Sequence, residues 1–308
     1  MGQPKVARRW RTARQIDLRA QLGPLRRGSG DPTWFSEPGG ALWRTTLTPE
    51  GPGLERIAVE RANGTVELSS WGPGAQWLAD RLPTLLGEGD DPRGFQAPPV
   101  LTATARRFCD WRIGRTDRVL EALIPAILEQ KVTGKEAWLG WRTLVREFGE
   151  PAPGSAALPR PLMVFPAPEV WAQIPSWRWH QAAVDSKRSQ TVLRAVREAT
   201  TLEEIGEIDR VAAQQRLRQI PGVGVWTAAE TVQRATGDPD AVSYRDYHLA
   251  QEIVYLFTGD RNGTDEQLAR LLLPFAGHRY RIQRLSELSG YQRPRRAPRM
   301  TVHDMRTM

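Results

Sequence analysis

The stretch Gln219-Ile220-Pro221-Gly222-Val223-Gly224-Val225-Trp226-Thr227-Ala228 limits what can be built around it. Before it, Arg210–Arg218 reads as a helix with Val211, Leu217 and small alanines. After it, Val225–Thr236 places Val225, Ala228, Ala229, Val232 and Ala235 on one helical face and then meets Gly237, a stop signal. Two helices joined by Pro-Gly-x-Gly form a helix-hairpin-helix. The glycines let the backbone turn sharply and approach a partner closely. The second helix then aims its unpaired N–H groups outward, where an anion such as a nucleic-acid phosphate is favoured. A Gly-x-Gly turn is also an ordinary helix connection, so the residues beyond the second helix have to decide.

Those residues are Asp238-Pro239-Asp240, then Tyr244-Arg245-Asp246-Tyr247. Asp246 stands just before a helical run, Tyr247–Phe257, where it reads as an N-cap. A capping carboxylate feels the helix dipole and accepts backbone N–H groups, which favours its anionic form. A fixed negative charge beside a phosphate-binding turn suits cleavage of an N-glycosidic bond, because the sugar turns cationic as its base departs.

Residues 219–246 resemble the signature of the helix-hairpin-helix DNA glycosylases, and most of all the branch of 3-methyladenine DNA glycosylase II. That family carries a Pro-Gly-x-Gly hairpin, a Trp two residues after the second glycine and a catalytic Asp twenty residues after the Trp. Here these are Pro221-Gly222-Val223-Gly224, Trp226 and Asp246. Family members that also cut the strand have a Lys at the position of Trp226, so the amine nucleophile is missing here. The resemblance implies a mostly α fold: a helical glycosylase domain preceded by a small antiparallel α+β domain. It implies a monofunctional enzyme of base excision repair that leaves an abasic site in double-stranded DNA. The substrate implied is an alkylated purine; oxidised or deaminated purines, or non-catalytic binding of damaged DNA, are the alternatives.

Charge distribution agrees with a polyanionic partner. The formal charge is +8, and residues 1–30 hold eight Lys/Arg against Asp17 alone. Residues 279–308 hold eight Arg against Glu287 and Asp304, so the intervening chain is net acidic. Basic ends suit phosphate contact, although Arg-rich termini also serve solubility. Cys109 is the only cysteine, which excludes an intrachain disulfide and a four-cysteine iron–sulfur cluster. The four histidines have no metal-ligand spacing. A charged start without an apolar core and the lack of a long apolar run argue against a signal peptide and a membrane span. Together with the resemblance, the expectation is a monomer in the cytoplasm, at the bacterial nucleoid. No cofactor is expected to be required.

Three segments are expected. Residues 1–98 form the α+β unit, 99–290 the helical unit and 291–308 a disordered basic tail. Within 12–72, strands are read at Ala41–Thr48, Leu54–Glu60 and Thr65–Ser70, with Ala62-Asn63-Gly64 as a hairpin turn. Gly72-Pro73-Gly74 opens an amphipathic helix, Ala75–Leu86, and Gly87–Pro99 reads as a linker. Further on, helices are read at Arg118–Gln130, Lys135–Phe148, Glu169–Ile174, Ser186–Ala199, Asp265–Leu273 with a capping box from Thr264, and Tyr280–Leu288. Glu150–Pro168 reads as a proline-rich loop. Trp138 and Trp141 read as core. Trp177-Arg178-Trp179-His180 fits core packing or stacking on bases, and Ser186-Lys187-Arg188 could meet a phosphate.

The family resemblance assigns further roles. Ile127-Leu128-Glu129-Gln130-Lys131-Val132-Thr133 resembles the segment that fills the gap left by an extruded base, which points to Gln130 and Lys131 as the duplex wedge. The family has an apolar side chain at Lys131, so this position departs from the pattern. An exposed loop lysine is the equal alternative. Base flipping requires a pocket, and the resemblance places Trp226, Glu230 and Arg284 there. The family has an aromatic at Glu230, which could alternatively pair with Arg234 at i, i+4. Gly222, Gly224 and Thr227 offer N–H groups to the phosphate. Carbonyls of Arg218, Ile220 and Val223 would hold a bridging Na+ or K+.

Overall fold

In a computed structural model, residues 3–60 and 64–294 are described. Strands β1 (Val6–Arg11), β2 (Trp34–Ser36), β3 (Leu42–Thr48), β4 (Gly51–Glu60) and β5 (Thr65–Trp71) form an antiparallel sheet of order β1-β5-β4-β3-β2. Helix α1 (Leu18–Leu22) lies between β1 and β2, and α2 (Ala75–Leu85) packs on β1, β4 and β5. Leu22, Ile57, Val66, Leu68 and Leu82 fill the space between. The three strands expected from sequence are present with slightly shifted ends. Strand β1 is an addition to them, because Arg8 on its inner face and Arg9 and Arg11 on its outer face disguise its period of two. Its Arg8 reaches inward, donating to the Ala79 carbonyl at 2.6 Å. The segment 12–40, expected to be strand-forming, also contains α1, capped by Asp17. Ala62 and Asn63 of the expected hairpin turn lie outside the described residues, as does the tail from Arg295 on.

The rest is helical: α3 (Thr102–Arg107), α4 (Val119–Leu128), α5 (Gly134–Phe148), α6 (Pro168–Gln173), α7 (Ser176–Gln181), α8 (Ser186–Arg197), α9 (Ala199–Glu203), α10 (Arg210–Arg218), α11 (Val225–Ala235), α12 (Leu249–Thr258), α13 (Asp265–Leu272) and α14 (Arg279–Leu288). Helix α4 is apolar and buried everywhere except at Glu121, as suits a central helix. It packs on α5, α8 and α11. Polar side chains satisfy several helix starts. Thr133 with Glu136, and Thr264 with Gln267, form capping boxes. Asp185 and Asp209 cap α8 and α10, and Glu203 accepts the first N–H groups of α4 from a distance in sequence.

Two segments expected as loops carry more structure. Glu150–Pro168 contains a two-stranded ladder, β6 (Glu150–Pro151) with β7 (Met163–Val164). Strand β7 docks on the sheet through Met163, whose carbonyl accepts the Thr45 hydroxyl at 2.7 Å. Gly87–Pro99 is pinned rather than loose. Asp90 makes a two-pronged ion pair with Arg281 at 2.8 and 3.0 Å, and Arg281 lies between Phe95 and Trp111. Both partners are buried. Aromatic faces over a planar guanidinium add cation–π attraction to that pair.

Sheet and helices also meet at Arg44, which pairs with Glu55 on β4 at 3.0 Å and approaches Glu121 on α4 at 3.8 Å. Burial pushes both carboxyls up to about 7, although Arg44 pulls them back. Segment 20–31 threads between the two layers. Arg284 donates to the Ala20 carbonyl, Arg234 to the Pro24 carbonyl, and Trp141 to Asp31.

Candidate catalytic site and nucleic-acid interface

Helix α10 ends and α11 begins around Pro221–Gly224, the hairpin expected from sequence. Gly222 has φ +102, a left-handed conformation, and a Cβ there would lie 2.1 Å from the Thr191 hydroxyl. Glycine at this place is required by the fold itself. Gly224 differs: its φ is −94 and a Cβ would meet nothing within 4 Å. No neighbour among the described residues asks for glycine there. Helix α11 has no side-chain cap at Gly224. The N–H groups of Gly222 and Gly224 find no acceptor among the described residues, and that of Thr227 lies in the unpaired first turn. These three donors lie within six residues of one another at the hairpin and the start of α11.

The carbonyls expected to hold a cation belong to the end of α10 and the turn that follows it. Those of Arg218 and Val223 accept no hydrogen bond among the described residues, and that of Ile220 accepts one from Val223 at 2.9 Å. Three carbonyl oxygens, two of them free, at the negative end of α10, suit a hard monovalent cation. No cluster of His, Cys, Asp or Glu with metal-binding geometry occurs among the described residues.

Across the mouth stands Asp246, half-buried. One carboxylate oxygen accepts the Trp226 indole N–H at 3.1 Å. The other accepts the N–H groups of His248 at 2.8 Å and Leu249 at 2.9 Å. Helix α12 thus starts two residues later than the sequence suggests, with His248 in the cap position. Arg245, at φ +67, turns the chain just before it, and Asp246 caps from further out. Tyr247, beside it, is 79 % exposed.

Glu230 lies one turn beyond Trp226 on the same face and is only 8 % exposed. Its carboxylate pairs with Arg234 at 2.8 Å and accepts the Ser243 hydroxyl. The i, i+4 pair offered as the alternative for Glu230 is therefore present. Burial opposes the Arg234 charge, but Glu230 and Glu129 carry its pKa above the ordinary value. Arg27 enters the same cluster, 3.6 Å from Glu129, its pKa lowered by burial. Tyr280 is pushed up to about 12 by burial. Arg284 is engaged by Glu287 and the Ala20 carbonyl. It lines a small cavity of about 30 Å³ with Gln21, Leu85 and Trp111, and among the described residues no hydrogen bond or ion pair joins it to Trp226 or Asp246.

Gln130 and Lys131 come directly after α4. The Gln130 side-chain amide donates to the Gly222 carbonyl at 3.0 Å and to the Thr227 hydroxyl at 2.8 Å. Lys131 is exposed, with φ +54. Arg188, expected as a phosphate contact, is instead 3 % exposed and bonded to the Leu128 and Ala183 carbonyls; Lys187 beside it is exposed. Trp179 is core, stacked on Trp171 with centroids 5.7 Å apart, whereas Trp177 is exposed. Sequence reasoning misses Arg27, Glu129 and Ser243 around Glu230 and Arg234. No local pattern marks them, because they meet only through the fold.

No protein-family model matches the chain. Over 157 residues, half of this chain, it is 31 % identical to a Mycobacterium tuberculosis protein described as a probable bifunctional transcriptional activator/DNA repair enzyme AlkA, of which that match spans 30 %. It is 24 % identical over 188 residues to a Bacillus subtilis DNA-3-methyladenine glycosylase, covering 58 % of this chain and 60 % of that one. The chain thus spans less than two thirds of these curated relatives. Among solved structures, a 3-methyladenine DNA-glycosylase from Archaeoglobus fulgidus superposes with a TM-score of 0.74 at 16 % identity, covering 92 % of this chain and 98 % of the other. The chain has the helix-hairpin-helix DNA glycosylase fold. A Clostridium acetobutylicum 8-oxoguanine glycosylase/lyase, solved with DNA containing cytosine opposite 8-oxoG, shares that fold with a TM-score of 0.72 at 10 % identity, over 94 % of this chain and 96 % of the other.

Proposed function

We propose that this protein is a monofunctional DNA glycosylase of base excision repair. It flips a damaged, alkylated purine out of double-stranded DNA and hydrolyses its N-glycosidic bond. The observation that carries this reading is Asp246, its carboxylate fixed by one indole and two backbone donors opposite the open hairpin. Gly222, Gly224 and Thr227 bind the phosphate with their N–H groups, and a Na+ or K+ on the carbonyls of Arg218, Ile220 and Val223 would add positive charge there. Trp226 stacks on the flipped base. As the base leaves, Asp246 stabilises the sugar cation and orients water on its open face. Electrostatic stabilisation of this kind is worth roughly 10²–10³ in rate. No Lys stands at position 226, so the product is an intact abasic strand.

The test is incubation with alkylated duplex DNA, then treatment with alkali. Breaks that appear only after alkali are expected; breaks without alkali would mean lyase activity, and none would mean a binder. Asp246→Asn should bind DNA as the parent does and release no base. An Asn variant that excises normally would remove Asp246 from the mechanism. The Glu230–Arg234–Arg27–Glu129 cluster favours a second reading, a purine recognised by hydrogen bonds at its edge, as oxidised and deaminated purines offer. A panel of lesion-containing duplexes separates the two.

A further inference from the structure

The loop after α4 and the hairpin come from distant parts of the chain, yet one side chain joins them. Both amide hydrogens of Gln130 are used: one on the Gly222 carbonyl, one on the Thr227 hydroxyl. The two acceptors flank the N–H donors of the hairpin mouth. Thr227 is buried, and its own carbonyl accepts the Thr231 hydroxyl at 2.7 Å, so this anchor belongs to the body of α11. On the opposite side the loop is held by Arg188. That guanidinium donates to the Leu128 carbonyl at 2.7 Å and the Ala183 carbonyl at 3.1 Å, and Asp185 fixes its Nε at 2.7 Å. One residue beyond both anchored positions the chain turns through Lys131, left-handed and exposed. A side chain tied by both hydrogens to another element cannot also fill a gap in a duplex.

We infer that Gln130 is a positioning residue rather than a wedge: it ties the loop that carries Lys131 to the phosphate-binding hairpin, so that gripping the strand fixes where Lys131 enters the duplex. This rests on the glycosylase reading of the site. Hairpin and loop then act as one unit. A phosphate held at Gly222 and Gly224 sets the distance from the backbone to the Lys131 tip through a single amide. Released from that amide, the loop would still be held at its Arg188 side, but its tip would lose its register against the hairpin.

The experiment compares the full-length chain with Gln130→Ala, Thr227→Val and Thr227→Ser. Duplex binding is measured by fluorescence anisotropy, and base extrusion by 2-aminopurine emission beside a lesion. Single-turnover base release and thermal melting complete the set. Gln130→Ala should bind duplex within about threefold of the parent, while Thr227→Val, at a phosphate-binding position, is read by extrusion and release alone. Their extrusion signal and base release should fall by roughly tenfold to a hundredfold, the scale of an ångström-sized misplacement. Thr227→Ser, which keeps the acceptor, should restore both. Equal loss of binding and extrusion would overturn the inference, since it would make Gln130 a support of the hairpin alone, and so would unchanged extrusion. Should the parent extrude the base without releasing it, the glycosylase reading fails while the 2-aminopurine signal still decides the role of Gln130. A parent that gives no extrusion signal overturns both.

Discussion

At the scale of single residues, the two hairpin glycines have different reasons to be there. Gly222 is fixed by its own backbone and by Thr191 behind it; Gly224 faces empty space. Gly222→Ala is expected to lower stability by about 1–3 kcal/mol, through left-handed strain and the clash. Gly224→Ala should leave stability within about 0.5 kcal/mol and weaken duplex binding by roughly tenfold, because a Cβ would stand between the phosphate and its donors. Melting curves alongside anisotropy titrations check both. Two unstable variants, or two that bind normally, would contradict this division. Trp226→Phe keeps a stacking face and loses the indole donor to Asp246. Base release should slow about tenfold, as expected for one hydrogen bond to a charged group, with binding little changed.

At the scale of elements, the loop between α4 and α5 carries strain that a helix interior would not tolerate. Lys131→Gly should stabilise the fold by about 1 kcal/mol, since left-handed backbone costs a non-glycine residue roughly that much, while base extrusion falls. Higher melting temperature with intact extrusion would remove Lys131 from the wedge role. How well the elements can be read from sequence obeys the same logic. Helices α10, α11 and α13 are legible nearly to the residue, because Asp209, Gly224 and Thr264 punctuate them and their apolar faces repeat cleanly. Strand β1 is hidden by its arginines. The start of α12 is misplaced by two residues because the turn at Arg245 has no sequence signal. Trp226 and Asp246 are legible as a spaced pair. Gln130 bonding across to Thr227 is not, since no periodicity reports a contact between residues so far apart in the chain.

At the scale of the whole molecule, the sheet and the helices meet over one guanidinium and two carboxyls. Glu121 accepts the Leu47 N–H at 2.7 Å, whereas one oxygen of Glu55 is buried without a partner. Both carboxyls titrate near 7 in the folded chain, because burial raises them from 4.5. Groups raised in this way add stability that is complete below the unfolded value of about 4.5 and is lost as pH climbs through about 7. The melting temperature should fall by several degrees from pH 6 to pH 8, and Glu55→Gln should flatten that slope and raise the pH 8 value. A parent with a flat profile across this window would show that the junction does not titrate. The pinned segment at Asp90 adds a mechanical consequence. With Arg281 set against Phe95 and Trp111 and paired with Asp90, the segment joining the two layers is pinned to α14. On the glycosylase reading, the compliance must come from the duplex, whose bending costs on the order of 1–6 kcal/mol and depends on its sequence and stacking. Softness then becomes the first thing sensed during a search: a pair loosened by damage yields with less work, and the protein lingers there before any atom of the base has been read.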